Sequence, residues 1–335
     1  MKNFQNGDTM KKEIIIANPI YDVVFKNLMT TETGTNKDIA SYFFGTILGE
    51  EITDINFLPQ EYTYKKTKPK KQGLSSIRLD FVTTIRTKTG DYKKVLIEIQ
   101  KTQRPMDLIR FRTYIGQQYQ QHDMIELKDN KIEKALPLVI IYMLGFELSG
   151  INTVVVSANR LYFDMMKKDP QTGKNAIIET RHPFIESLTH DGFFIQIPRI
   201  NKGLFTEWKN CSDYYKILSL FEQDYFIDNE SKTIKTYPYS LTDKNLKKMV
   251  NTLEYIASDN EIRRIMLEEY WAEQDEILWK QSSAEKDKTI AVLSKNNKAK
   301  DNTIAAKDNT IAAKDKEIIE LRQILLKSGI DIPSA

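Results

Sequence analysis

One cysteine in 335 residues, Cys211, leaves no partner for an internal disulfide, and nothing else in the composition argues for secretion. Three scattered histidines, His122, His182 and His190, with that one thiol, speak against a zinc centre. Long apolar runs are missing as well. The longest, LPLVIIYMLGF from Leu136, falls short of the about 20 residues that a membrane-spanning helix needs. The IIIA stretch near the N-terminus is too short for a signal-peptide core, and no small-residue cleavage pattern follows it. Charge of one sign is scarce: the formal net charge is +3, so attraction to an anionic polymer must rest on local clusters. The expectation is a cytoplasmic protein with no membrane partner and no small-molecule cofactor. What the chain has in quantity is core-forming material, 41% hydrophobic and 10% aromatic residues, enough for one large domain or two smaller ones with an appendage.

Residues 1–12 read as a polar leader. Apolar residues at three-to-four spacing predict helices over 22–29 (DVVFKNLM) and 38–48 (DIASYFFGTIL), and alternation predicts a short strand over 52–58. A lysine-rich loop, YKKTKPKK, spans 64–71. A helix is expected from about Met106 to Leu127, and the continuous β-branched run from Leu136 to Leu144 reads as a buried strand. Residues 150–205 give no firm pattern except GFFIQIPRI, read as a strand over 192–200. From 206 the pattern is mostly helical, over 207–226 and 241–279. The alternation of helices and strands predicts an α/β domain with a mixed sheet over 13–205, then a helical region over 206–282. The tail, 283–335, differs in kind: KDNTIAA occurs twice in succession, and Ile290, Ile304, Ile311 and Ile318 keep a seven-residue register that Asn297 interrupts. The second seam position is Lys or Asp, and only Ile318, Ile319, Leu321, Ile324 and Leu325 cluster well. This predicts a solvated helix with an associating end, hence a homo-oligomer.

The strongest local signal is IRLDFVTTI and VLIEIQ on either side of KTGD (Lys88–Asp91), a β-hairpin. Ile77, Leu79, Phe81, Val95, Ile97 and Ile99 are odd-numbered and apolar, whereas Asp80, Glu98 and Gln100 are even. With a side-chain period of two, each strand should bury its odd face and show its even face. A three-residue turn sets Asp80 across from Glu98 or Gln100, whereas a two-residue turn breaks that alignment. Asp is disfavoured in strands and facing like charges repel, so the pair points to a cation or a basic partner on that face, with a plain solvated strand face as the alternative reading. Mg²⁺ would take the Asp80 and Glu98 carboxylates, a backbone carbonyl (that of Ile99) and waters. Asp22 could add a third carboxylate; its other role is favourable charge at a helix N-terminus. Gln100 can orient a water or a phosphate oxygen. Lys101 has the opposite parity and should point away unless the strand ends there. Arg110, Tyr114, Gln117 or Gln118, and Gln121 form a stripe that could contact phosphate. Lys65 and Lys66, in the lysine cluster beside Tyr62 and Tyr64, could grip a nucleic-acid backbone. An ordinary solvated helix face and a solvated loop are the alternative readings of these two features.

YDVVFKNLM, the Asp80 strand, VLIEIQ, the Arg110–Tyr114 helix, LPLVIIYML and the heptad tail, in this order, resemble the PD-(D/E)XK nuclease family transposases, also called recombination-promoting nucleases. The resemblance covers residues 18–280, with the tail as an appendage. It implies a restriction-endonuclease-like core, a mixed sheet flanked by helices, and divalent-metal-dependent cleavage of DNA. It puts Asp80, Glu98 and Gln100 at the catalytic positions and Asp22 as the helix acid. The superfamily usually carries Lys where Gln100 stands, which leaves the protonation role of that position open. The competing expectation is a nuclease fold without turnover, acting as a nucleic-acid-binding or coiled-coil regulatory protein.

Overall fold

The hairpin turn is three residues long. In the computed structural model, which describes residues 13–31, 34–57, 81–101, 105–127, 130–201 and 212–329, Thr87 and Asp91 close the turn: the Thr87 amide donates to the Asp91 carbonyl at 2.9 Å, and that of Gly90 to the Thr87 carbonyl at 2.9 Å. Gly90 has φ +92°, where a side chain would be strained, so the glycine fixes the loop length.

In chain order the elements are β1 (Ile15–Ala17), α1 (Asp22–Met29), β2 (Thr30–Thr31), β3 (Gly34–Thr35), α2 (Lys37–Leu48), β4 (Ile52–Phe57), β5 (Phe81–Thr87) and β6 (Tyr92–Gln100). Next come α3 (Pro105–Tyr119), β7 (Asp123–Leu127), β8 (Asn130–Lys134), β9 (Leu138–Leu144), β10 (Val155–Ala158), β11 (Tyr162–Lys168), β12 (Asn175–Ile178), α4 (Pro183–Leu188) and β13 (His190–Gln196). A 3₁₀ turn (Ile197–Arg199), α5 (Asp213–Ser219), β14 (Ile234–Thr236), α6 (Lys244–Ser258) and α7 (Asn260–Lys327) complete the chain. A six-stranded mixed sheet runs in the order β10-β13-β9-β6-β5-β4. β4, β5 and β6 form an antiparallel meander, β6, β9 and β13 are parallel, and β10 is antiparallel at the edge. α3 supplies the crossover that a parallel β6–β9 pair requires. The chain divides into two compact units, Met1–Glu269 and Tyr270–Ala335.

Both faces of the sheet are covered, and this corrects the expectation of an exposed even face. The odd face packs an aromatic cluster: Phe25 of α1 lies 5.5 Å from Phe43 of α2, 5.1 Å from Phe81 and 6.4 Å from Phe221. On the even face, Val82, Leu96, Leu138 and Ile140 pack with Phe111 and Tyr114 of α3. Parity alone could not reveal this, because the cover comes from a separate element, the helix that follows the hairpin. β5 and β6 therefore carry the nearly continuous burial of an α/β sheet rather than a clean alternation.

Other expectations need adjusting. The helix expected over 106–127 stops at Tyr119, and Asp123–Leu127 instead pairs with β8. The buried Lys94 ammonium pairs with Asp123, whose second oxygen accepts from the Leu136 amide at 3.1 Å, so that segment is tied to the sheet. β13 gives way at Ile197 to a 3₁₀ turn containing Pro198, which has no amide to donate to a ladder. Of the helix expected over 207–226, only Asp213–Ser219 is helical among the described residues. The 241–279 helix is two: Asp259 adopts extended backbone (ψ 115°) and its carboxylate caps α7, accepting from the amides of Glu261 (2.8 Å) and Ile262 (3.1 Å). α6 packs on β1, α1 and α2 through Leu246, Met249, Val250 and Leu253.

β1 pairs antiparallel with β14, Ile16 opposite Lys235. Lys235 is buried, its ammonium donating to the Glu222 carbonyl, while the Glu222 carboxylate accepts from the Tyr239 hydroxyl at 2.6 Å. Burial pushes the Lys235 ammonium down to about 7, against the opposing pull of Glu222 and Asp224. Between about 7 and the ordinary lysine value the unfolded chain holds a proton that the folded chain does not, so stability rises with pH through that window. Urea midpoints at pH 6, 8 and 9.5 are expected to climb in wild type and to climb clearly less in Lys235→Met. Parallel profiles would remove Lys235 as the source.

Candidate active site

The parallel strands β6, β9 and β13 end together at Gln100, Leu144 and Gln196, and polar side chains gather there. In open α/β sheets this carboxyl end is where ligands bind. The chain is held closely at this point. The Gly145 amide donates to the Gln100 carbonyl at 2.8 Å. A Cβ on Gly145 would come within 2.4 Å of the Lys101 carbonyl oxygen, so only glycine permits the approach. Beside it, the fully buried Gln196 amide accepts from the Leu148 amide (2.5 Å) and donates to the Ile151 (3.1 Å) and Thr153 (2.6 Å) carbonyls, fixing the loop after β9.

Among the charged groups at this end Arg199 and Glu147 pair at 2.6 Å beyond the ends of β13 and β9, and two further pairs carry the sequence-derived candidates, one over each face of the sheet. Over the even face, Glu98 is 2% exposed and its Oε1 accepts from Nη2 of Arg110 on α3 at 2.8 Å. The Tyr142 ring stacks on Phe194 (5.3 Å) and packs against Phe111 (4.1 Å). Burial first, and the Glu98 charge next, push its phenol far up, so Tyr142 stays protonated.

Over the odd face, Lys101 lies just beyond the end of β6, and its ammonium reaches Glu269 of α7 at 2.6 Å and sits 4.1 Å from the centre of the Tyr21 ring. The same Glu269 oxygen accepts from the Asp22 amide at 3.3 Å. Burial holds the Glu269 carboxyl above the usual range, the Asp22 charge adds to this, and Lys101 opposes it.

The sequence-derived candidates therefore separate. Glu98 and Arg110 are in contact, and Asp22 and Lys101 share Glu269. Gln100 is half-buried at the strand end, and Ile99 is buried in the ladder opposite Met143. The stripe of Arg110, Tyr114 and Gln118 is not a wet face: Tyr114 and Gln118 are buried toward the sheet, because α3 uses that side to cover the even face. Asp80, Lys65 and Lys66 lie outside the described residues. Glu269 carries no local signal in the sequence, being one acid among many in a long helical pattern. Tyr142 had one, a hydroxyl in the middle of an apolar strand run.

Among the described residues no group of three or more His, Cys, Asp or Glu side chains is arranged to hold a metal. Glu98 is a hard oxygen donor of the kind Mg²⁺ accepts, but one carboxylate paired with Arg110 is only part of a site.

The fold and this end of the sheet define a mixed α/β protein with a six-stranded sheet and a long C-terminal helix. Among the described residues, no helix is long and apolar enough to cross a membrane. Comparison with protein-family models, curated proteins and solved structures finds no match.

Proposed function

We propose that this chain is a cytoplasmic, Mg²⁺-dependent DNA endonuclease of low sequence specificity, related to recombination-promoting nucleases and built on a restriction-endonuclease-like core. The observation that carries the reading is the register of the hairpin. The described ladder ends with Phe81 opposite Ile97; the proposal takes Asp80 and Glu98 as the next pair. The three-residue turn supports it, since that loop length keeps the two acids in one alignment. The succession α2-β4-β5-β6-α3-β7-β8-β9, an antiparallel meander followed by a crossover of one helix and a small hairpin into a parallel strand, supports the core assignment.

In this reading Asp80, Glu98 and the Ile99 carbonyl hold the metal, with Asp22 as a further acid near the same end of the sheet. A bound Mg²⁺ would supply a water of lowered pKa and neutralise charge on the scissile phosphate. Gln100 orients the attacking water through its amide, carrying no charge itself. Arg110, set beside Glu98, positions a phosphate oxygen by its guanidinium fork, and Lys101 with Lys65 and Lys66 adds positive charge along the backbone path. Tyr114 serves by packing α3 on the sheet. Cleavage of both strands of a duplex requires two such sites, which association through the C-terminal helices provides.

One observation favours a second reading, a nuclease fold that binds nucleic acid without turnover: Glu98 is buried in an ion pair with Arg110, an arrangement that also suits a purely structural role. Supercoiled plasmid incubated with wild type and Mg²⁺ separates the two. The nuclease reading expects nicked and linear DNA that chelator abolishes and that Asp80→Ala lacks; an uncut plasmid under every divalent metal leaves only the binding module. Folded RNA in a parallel lane decides the substrate.

A further inference from the structure

The repeat in the second unit carries information on how two chains meet. From Asn260 to Lys327 the chain is one helix. On it Ile290, Asn297, Ile304, Ile311, Ile318 and Leu325 stand seven residues apart, with Leu293, Lys300, Lys307, Lys314 and Leu321 three residues after the first five. The Ile and Leu members of this seam are 38–62% exposed. A straight helix drifts about 20° per heptad, so a strict seven-residue stripe over five heptads does not stay on one flat surface; it stays in contact only with a helix that coils around it.

We infer that residues 290–325 form a parallel, in-register, two-stranded coiled coil with a second copy of this chain, and that Asn297 sets the register. This extends the self-association proposed above and does not depend on the nuclease reading. With the isoleucines at position a, the three seam lysines are d residues, and Asp301, Asp308 and Asp315 occupy the adjoining e positions. A d side chain enters a hole of the facing helix whose edge includes e, so in a parallel pair each lysine meets an aspartate of the second copy. Glu317 at g and Arg322 at the next e add an opposite-charge pair across the same interface. An antiparallel pair does the reverse: it sets e against e, aspartate facing aspartate, and matches isoleucine layers with lysine layers. In register each d layer also sets lysine against lysine, so it is the flanking aspartates of both copies, brought beside them only in the parallel orientation, that neutralise the seam.

Register is the remaining freedom, because tandem KDNTIAA lets two helices slide by seven residues and still stack isoleucine on isoleucine at most layers. Asn297 removes that degeneracy. In register, two carboxamides face and hydrogen-bond each other; one heptad out, Asn297 faces Ile304 and its amide is buried without a partner, at about 1–3 kcal/mol. A parallel pair also brings both N-terminal units to the same end of the coil.

The test uses the full-length chain with Cys211→Ser and one new cysteine, Ile290→Cys or Ile318→Cys. Both variants are expected to oxidise to covalent dimers, and sedimentation equilibrium of the unoxidised protein is expected to give a dimer. An antiparallel pair can bring at most one of these positions onto itself, so cross-linking at one or neither overturns the arrangement while leaving self-association intact. A monomer throughout overturns both. Asn297→Ile is expected to raise the melting temperature of the assembly and to yield trimers or larger species; a variant that remains strictly dimeric removes Asn297 as the determinant.

Discussion

Glu98→Gln is expected to lower Mg²⁺-dependent plasmid cleavage at least about a hundredfold, a loss of about 2.7 kcal/mol of transition-state stabilisation, while the protein remains folded. Glutamine keeps the shape and still offers Arg110 an acceptor, but it removes the charge that a divalent cation requires of its ligand. The same change weakens a charge-assisted hydrogen bond in a buried place, at about 1–3 kcal/mol of folding stability. Measuring cleavage and thermal unfolding on one preparation separates the two effects. A variant that melts lower yet cleaves at the wild-type rate assigns Glu98 to the fold, and the proposed metal site falls with it. Arg110→Met sharpens the comparison: it leaves the Glu98 charge in place and removes its cation, so it should damage stability more than metal dependence.

Phe25→Ala is expected to cost about 3–5 kcal/mol, and to lower the unfolding midpoint by roughly 6–20 °C for a unit of this size. Phe25 is fully buried where four separate stretches of chain meet: its own helix, Phe43 of α2, Phe81 at the start of β5, and Phe221. Edge-to-face contacts at these separations add to the area buried, and the three rings around it cannot all collapse into the space it leaves. Calorimetry or circular dichroism reads the shift directly. A fall of under about 2 °C would mean the cluster repacks and is not the keystone of the odd face.

Local rules made the hairpin and its neighbours legible. α1 matches its expected limits and α2 begins one residue earlier, because amphipathic spacing needs only its own residues. The odd loop length followed from parity in two adjacent strands. The even face misled for the opposite reason: whether Glu98 meets water depends on α3, and no count along β6 reveals that a helix will lie there. The break at Asp259 was legible in principle, an N-cap residue followed by Glu261, but the helical periodicity on both sides outweighed it. Glu269 was beyond reach, since its importance comes from meeting a lysine 168 residues away.

The pairing of β1 with β14 has a consequence in time. Ile15 to Ala17 can enter their ladder only after Ile234 to Thr236 exist. At the usual pace of synthesis that is a wait of roughly 10–45 s, during which an apolar strand stands unpaired at the front of the nascent chain. The first unit therefore cannot finish folding in the order in which it is made: the meander and α3 can assemble early, whereas the strand synthesised first is among the last to be seated. Slowing translation should lengthen the exposure of that strand to chaperones, and deleting β14 should leave it exposed permanently.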